Sequence, residues 1–187
     1  MKKLILYFVP SFLVLMAFAG CQFDAVDPDL EPVPDQEYLY YGRYLNFAWG
    51  RSDHGFVVSS DGWVHTFNVV ESGEAWSNPN ETGIYSPGTF ESNMELGRTD
   101  NIEEVNNTWL NDHPKAIVKV NEAELPESKA VMVDAGTIAF YVLRKDEEGN
   151  YHEYLVGVRG DEEVTREGWY SHRLLNWLYS TYEVFPF

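Results

Sequence analysis

The sequence has only one cysteine, Cys21, among its 187 residues. A single cysteine cannot form a disulfide within the chain, and it cannot supply the cysteine clusters of zinc or iron–sulfur sites. The HExxH, GxSxG, P-loop, GxGxxG and EF-hand patterns, which mark common catalytic and cofactor-binding sites, do not occur either. The sequence therefore assigns no catalytic residue, no metal site and no cofactor.

Basic residues are also scarce. The chain has 13 Lys and Arg against 30 Asp and Glu, and its formal net charge is −17. Binding to nucleic acid and adhesion to anionic lipid headgroups both need clustered Lys or Arg side chains. We therefore expect neither a nucleic-acid partner nor adhesion to anionic lipid headgroups, whereas cationic partners are permitted and surfaces of like charge are repelled.

The N-terminus has the three parts of a secretory signal. Two lysines are followed by an apolar run over residues 4–18, and small residues then precede Cys21. The Ala19-Gly20-Cys21 sequence resembles the lipobox of bacterial lipoproteins. That resemblance implies that signal peptidase II removes residues 1–20 and that Cys21 carries diacylglycerol and an N-acyl chain such as palmitate. The alternative is an uncleaved membrane anchor with an incidental cysteine.

A lipidated Cys21 has physical consequences for the rest of the chain. Several acyl chains on one residue hold a protein firmly on a bilayer, so the first expected partner is the lipid bilayer itself. Loss of the two signal lysines leaves 11 basic and 30 acidic residues, a formal charge of −19. Stability in the oxidising envelope must then come from packing, since no thiol remains for a disulfide.

Residues 21–37 are rich in acidic residues and proline, and we interpret them as a lipidated tether ahead of one globular domain over 38–187. The acidic run resembles the surface-export signals of lipoproteins from some glycan-degrading Gram-negative bacteria, and Gln22 resembles an outer-membrane sorting residue. An ordinary acidic linker is the alternative. The expected location is the cell envelope, anchored at the outer membrane and either periplasmic or surface-exposed.

Two hairpins dominate the predicted domain. Residues 38–49 predict a strand with an apolar face and a tyrosine-rich face, and Asp61-Gly62 between β-rich runs predicts a two-residue hairpin turn. That turn would pair Ser60 with Trp63, Val58 with His65 and Phe56 with Phe67. A second hairpin is expected from strands at 137–145 and 151–159.

A long loop, two helices and two short strands complete the prediction. Residues 71–98 look like a long loop, and Asp100 with Glu103 resembles a capping box that starts a mid-chain helix before Pro114. The periodicity of residues 167–181 predicts a closing amphipathic helix, while 116–120 and 130–134 are candidate strands. The pattern indicates an α+β fold with a mainly antiparallel sheet built from two β-hairpins, a mid-chain helix and a C-terminal amphipathic helix.

The domain resembles other small uncharacterised envelope lipoproteins that have a hairpin front, a mid-chain helix and a closing helix after an Asp-Ala-Gly strand. Residues 134–136 supply the Asp-Ala-Gly sequence here. The resemblance brings no assigned activity.

Aromatic residues are abundant, with 6 Trp, 12 Tyr and 11 Phe. Exposed rings can stack on sugar faces, so a glycan or peptide platform is a reasonable hypothesis, although such rings also fill cores and half-exposed strands. His65 is expected among aromatic neighbours, where it could be a tuned acid or base or an ordinary packing residue. The candidate ligand-binding residues are Tyr38, Tyr40, Tyr44, Trp63, His65 and Trp76.

Three hypotheses for function follow. The first is a non-catalytic envelope lipoprotein whose domain binds or scaffolds a glycan or a protein. The second is a hydrolase that uses acidic residues with His65 or His152. The third is an acidic inhibitor or immunity-type protein that masks a basic partner. The Arg159-Gly160-Asp161 tripeptide matches an integrin-type motif, but ordinary turn chemistry explains it better.

Overall fold

The computed structural model describes residues 35–48, 50–105, 107–131 and 134–184, all of which belong to the unit Pro32–Phe187. The predicted signal, Cys21, most of the tether and Trp49 lie outside these residues. Within the described part of the chain, no helix is long and apolar enough to cross a membrane.

The centre of the domain is a sheet in which every strand pairing is antiparallel. Its order is β5-β3-β2-β1-β7-β8-β9-β6, and β4 pairs with the start of β8. The strands are β1 (Tyr38–Asn46), β2 (Ser52–Ser59), β3 (Trp63–Asn68), β4 (Ile84–Tyr85), β5 (Thr99–Glu104), β6 (Lys129–Ala130), β7 (Thr137–Lys145), β8 (Tyr151–Gly160) and β9 (Glu162–Thr165).

The described residues also form five helices. The helices are α1 (Val69–Ser72), α2 (Thr89–Met94), α3 (Asn107–Asn111), α4 (His113–Glu122) and α5 (Trp169–Val184). The fold is therefore α+β with a mainly antiparallel sheet, as predicted. The second hairpin and the closing helix are confirmed, and the first strand is confirmed through Asn46.

Each face of the sheet has its own core. Helices α3, α4 and α5 cover one face, which we call the helix face, where Leu174 and Leu178 of α5 share a core with Phe140 and Phe56. The segment 69–98 covers the opposite face, which we call the loop face; its buried residues include Trp76, Phe90 and Met94. Residues 71–98, predicted to be a loop, therefore form one wall of a core and contain β4 and α2.

Gly42 of β1 shows how tightly the helix face is packed. It pairs with Phe56 on one side and Phe140 on the other. A Cβ at this position would lie 2.6 Å from the Phe56 ring and 3.0 Å from that of Phe140. Only glycine leaves room for both rings to close over the strand.

The first hairpin forms at the predicted place, but the predicted register is wrong. The loop holds three residues, 60–62, and Gly62 adopts the left-handed φ of 91°. Val57, not Val58, is opposite His65, and Gly55 is opposite Phe67. Because a one-residue slip exchanges faces, Phe56 and Phe67 belong to different cores.

The mid-chain helix begins later than predicted. Residues 99–104 form strand β5, so the predicted capping-box start at Asp100 is wrong. Pro114 lies in the first turn of α4, where its missing N–H costs nothing. Residues 116–120, predicted to be a strand, belong to that helix. Of the strand predicted at 130–134, Ala130 lies in β6, Val131 and Asp134 lie outside any strand, and residues 132–133 lie outside the described residues.

Ordered contacts begin before Tyr38. The Gln36 side chain is buried, donating from Nε2 to the Leu143 carbonyl at 3.2 Å and accepting the Lys145 N–H at 2.8 Å. The chain therefore joins the domain at Gln36, inside the predicted tether.

Candidate functional site

The predicted tyrosine platform does not form, because a bulge between Tyr38 and Tyr40 breaks the alternation of β1. Tyr38 belongs to the loop-face core and Tyr40 to the helix-face core, with 2% and 0% of their surfaces exposed. The Tyr40 hydroxyl donates to the Trp109 carbonyl at 2.8 Å. The expectation that these two rings offer a shared exposed surface is therefore wrong.

The remaining predicted rings are also dispersed. Trp76 is buried on the loop face, where the Arg43 guanidinium lies 4.1 Å from its ring centre. Tyr44, on the helix face, stacks on His54 at 4.9 Å and donates to the Ala135 carbonyl at 2.7 Å. Trp63 is half-buried at the start of β3. The structure therefore does not bring these rings together as one ligand surface.

His65 belongs to a buried polar chain. Its Nδ1 lies 3.4 Å from Nη2 of Arg98, and its Nε2 lies 3.4 Å from Oγ of Ser59. Because a guanidinium only donates, Nδ1 must accept, and the imidazole proton is then on Nε2 and directed at Ser59. Ser59 in turn donates to the Asp61 carboxylate or the Trp63 carbonyl. In this tautomer Ser59 accepts from the imidazole, so the contact does not activate the Ser59 hydroxyl as a nucleophile.

His152 is the histidine that pairs closely with a carboxylate. Its Nε2 lies 2.9 Å from Oδ2 of Asp146, and both side chains are partly exposed. Asp146 also accepts the backbone N–H of Asn150 at 2.8 Å and its side-chain amide at 2.9 Å. The bond from His152, followed by those from Asn150, holds the pKa of the Asp146 carboxyl well below its usual range.

Glu153, the next residue of β8, has the opposite shift. Burial raises the pKa of its carboxyl, although the hydroxyl of Tyr41 donates to it. Tyr41 belongs to the loop-face core, and successive residues of a strand point to opposite faces. Glu153 and the His152–Asp146 pair therefore cannot act on the same atom of a substrate.

A cleft of about 390 Å³ lies beside the β7–β8 loop. We call it the amide cleft, because three asparagines contribute to it. None of its lining residues has an ionisable side chain; they are Asn78, Pro79, Asn80, Ile84, Ser86, Thr89 and Asn150.

Several contacts hold the walls of the amide cleft. The buried side chain of Asn93 bridges both backbone groups of Ser77, accepting at 2.9 Å and donating at 2.8 Å. Oδ1 of Asn80 accepts the N–H groups of Thr82 and Ile84 at 3.0 Å each. Ile84 is then tied to β8 by the β4–β8 pairing. The wall of the cleft is therefore anchored to the central sheet.

The Arg159-Gly160-Asp161 tripeptide is part of a closed turn. The carboxylate of Asp161 accepts the backbone N–H groups of Ala135 and Gly136 at 2.7 and 3.1 Å. Arg159 donates to Thr165 at 3.2 Å. Both side chains have structural partners, which agrees with the turn interpretation.

Sequence reasoning missed Trp169, which is 70% exposed at the start of α5. The buried stripe of that helix consists of Ser171, Leu174, Leu175 and Leu178, and Trp169 lies outside it. Trp169 shares the opposite, exposed face with His172, Arg173 and Asn176. The spacing of three and four residues from Trp169 to these polar side chains could have identified it.

Within the described residues, no three His, Cys, Asp or Glu side chains are grouped to hold a metal ion. Comparisons with protein-family models, with curated protein sequences and with solved structures give no significant match.

Proposed function

We propose that this chain is a lipid-anchored protein of the cell envelope, held at the outer membrane through Cys21, whose domain binds a neutral oligosaccharide without catalysis. The observation that carries the binding proposal is the amide cleft with its uncharged polar lining. The anchor is supported by the lipobox-like Ala19-Gly20-Cys21 sequence behind an apolar signal.

The chemistry of the amide cleft suits a ligand rich in hydroxyl groups. Side-chain amides offer both donors and acceptors, and hydroxyls can serve as either. Asn78 supplies an exposed amide, and Ser86 and Thr89 form a hydroxyl pair 2.7 Å apart. Pro79 and Ile84 add apolar surface for the C–H faces of a sugar ring.

Charge selects against acidic ligands. A chain with a formal charge of −19 after signal removal repels uronates and sulfated sugars, and the cleft lining offers no cation to offset that repulsion. Asn80 and Asn150 are already fixed by their own hydrogen bonds, so little side-chain freedom is lost when a ligand binds.

The test uses the full lipidated protein in detergent micelles and a panel of neutral gluco-, xylo- and manno-oligosaccharides. We expect at least one to raise the melting temperature, and Asn78→Ala to weaken its binding about tenfold, the equivalent of one to two hydrogen bonds. Asn176→Ala, at an exposed position of α5, is the matched control and should bind as the wild type does. A panel without any binder, or equal binding by Asn78→Ala, would refute the cleft as a glycan site.

A hydrolase is the second candidate, and the 2.9 Å contact between His152 and Asp146 is the observation that favours it. Asp146 could orient the imidazole as a general base on the face of β8 opposite to Glu153. Turnover of an ester or glycoside that is lost in His152→Ala would support this candidate, whereas glycan binding without turnover supports the non-catalytic proposal.

A further inference from the structure

A half-buried carboxyl group lies against the turn that forms one wall of the amide cleft. Glu153 of β8 accepts a hydrogen bond from the Tyr41 hydroxyl, and its backbone N–H donates to the Gly83 carbonyl at 2.9 Å. A Cβ added to Gly83 would lie 3.3 Å from Cγ of Glu153, so the backbone at Gly83 packs directly on this side chain. An ionisable group therefore supports the 80–84 turn.

The 80–84 turn is a closed unit that supplies two residues of the cleft lining. Asn80 donates its backbone N–H to the Ile84 carbonyl and accepts the Gly83 N–H, each at 3.0 Å. Oδ1 of Asn80 also accepts the Ile84 N–H at 3.0 Å. Because these bonds tie the turn together, a displacement at Gly83 moves both Asn80 and Ile84, which line the cleft.

The Glu153 carboxyl has hydroxyl partners but no counter-ion of its own. The titratable and charged side chains that face it come from β1, β4 and β7; they are Tyr41, Arg43, Tyr85 and Tyr141. Burial raises the pKa of each of the three tyrosines, so they stay neutral near neutral pH. Arg43 already donates to both carboxylate oxygens of Asp53 at 2.8 Å. Within the described residues, Glu153 itself forms no ion pair.

We propose that Glu153 is a pH-sensitive switch for the amide cleft. In its neutral form the 80–84 turn packs on β8 and the cleft keeps its binding geometry. In its ionised form the turn loosens and the cleft binds a neutral oligosaccharide more weakly. This inference rests on the proposed glycan-binding function and adds its regulation.

The 80–84 turn is the neighbour of Glu153 that can yield to a charge. A half-buried carboxylate without a counter-ion is costly, and it gains hydration when the segment that covers it moves away. Strands β1, β7 and β8 lie between neighbouring strands of the sheet, whereas β4, which follows the turn, pairs with β8 through two residues. Water therefore reaches an ionised Glu153 most readily by displacing this turn.

The sign of the effect follows from the environment of the carboxyl. Burial raises the pKa of Glu153, and it outweighs the opposing effects of Tyr41, Tyr85 and Arg43. The neutral form is present below the raised pKa and is lost as the pH rises through it. Because a bound glycan and a bound proton both favour the packed turn, each strengthens the binding of the other by the same factor.

The test measures the binding of gluco-, xylo- and manno-hexaoses to the full lipidated protein in detergent micelles by isothermal titration calorimetry. The measurements are made at about pH 5 and about pH 8, since an ordinary glutamate pKa lies near the lower value. We expect a hexaose that binds at the lower pH to bind several-fold more weakly at the higher one. Glu153→Gln can accept from Tyr41 but cannot ionise, so its affinity should be the same at both. Glu148→Gln, in the exposed β7–β8 loop, is the matched control and should keep the wild-type pH dependence.

A second measurement needs no ligand. The δ1 methyl of Ile84 is followed by NMR over the same pH range, with Ile138 of the helix-face core as the reference that should not move. We expect the Ile84 signal to shift in the wild type and in Glu148→Gln, and to shift several-fold less in Glu153→Gln. An undiminished shift in Glu153→Gln, as titration of His152 opposite Ile84 would produce, overturns the switch.

The outcomes separate the switch from the function that it regulates. Equal hexaose affinity of the wild type at both pH values, or a fall in affinity that survives in Glu153→Gln, overturns the switch and leaves glycan binding standing. Absence of hexaose binding at either pH overturns the proposed glycan function. An Ile84 methyl that moves only when Glu153 can ionise would then still support the coupling between this carboxyl and the cleft wall.

Discussion

Asp53 of strand β2 is buried, with 1% of its surface exposed, and it links that strand to the loop-face core. Arg43 donates to both of its carboxylate oxygens at 2.8 Å, and the other surface of that guanidinium lies against Trp76. The pair therefore holds the 69–98 segment, through Trp76, onto β1. A buried carboxylate of this kind is tolerated only because its charge is matched and its oxygens are bonded.

Asp53→Ala should lower the free energy of unfolding by about 3–5 kcal/mol, because it leaves the Arg43 guanidinium buried without its partner. Arg51→Ala is the control: Arg51 contacts the same carboxylate at 3.4 Å from an exposed position, and its loss should cost less than about 1 kcal/mol. Urea unfolding monitored by tryptophan fluorescence measures both. Equal effects of the two substitutions would contradict this ranking.

Glu153 should make the domain less stable as the pH rises. Burial raises the pKa of its carboxyl, so the unfolded chain ionises first and stability is lost between the ordinary glutamate pKa and the raised one. Glu153→Gln can still accept from Tyr41 and should remove that loss, which makes the variant the more stable protein at neutral pH. Unfolding free energies over a pH series test this, with Glu148→Gln in the exposed β7–β8 loop as the control.

The burial and the facing direction of single side chains were harder to predict than the secondary structure. Alternation along residues 38–49 placed Tyr38 and Tyr40 together, and only the bulge between them, which leaves no mark in composition, sends them to different cores. The abundance of aromatic residues could not tell an exposed ring from a buried one. The helical spacing around Trp169, in contrast, did contain the information needed to find an exposed indole.

At the scale of elements, segments with long periodic patterns were predicted correctly, whereas short apolar runs were assigned to the wrong kind of element. The 137–160 hairpin and the closing helix have long periodic patterns, and both are confirmed. Ala116, Ile117 and Val120 fit a strand or a helix equally well, and packing under α5 decides for the helix. Pro114 ended the predicted helix, but a proline in a first turn starts one.

Helix α4 is tied to the sheet through His113, which is 3% exposed and whose Nε2 lies 2.8 Å from the Leu143 carbonyl. Burial lowers the pKa of His113 to about 4. The unfolded chain therefore binds a proton first as the pH falls, and stability on the order of 3 kcal/mol should be lost between about pH 6.5 and 4.

His113→Gln keeps a donor for Leu143 but cannot titrate, so it should flatten the decline in unfolding free energy across this pH range. His172→Gln, on the exposed face of α5, is the matched control and should retain the wild-type profile. Unfolding in urea at each pH gives the comparison. A variant profile that still falls as steeply as the wild type would place the acid sensitivity elsewhere.

At the scale of the whole molecule, each face of the sheet has its own core. The amide cleft belongs to the wall on the loop face, whereas α4 and α5 cover the helix face. The fold class was predictable from the sequence because two hairpins and a closing helix determine it. The amide cleft was not, because it depends on contacts between the 78–89 segment and Asn150, which are distant in sequence.

The proposed anchor depends on acylation at Cys21, and metabolic labelling with palmitate in a Gram-negative host tests it most directly. We predict that the wild-type chain incorporates the label and that Cys21→Ala, expressed to the same level, does not. A labelled Cys21→Ala chain, or a wild-type chain without label, would contradict the account of this protein as a lipid-anchored envelope protein.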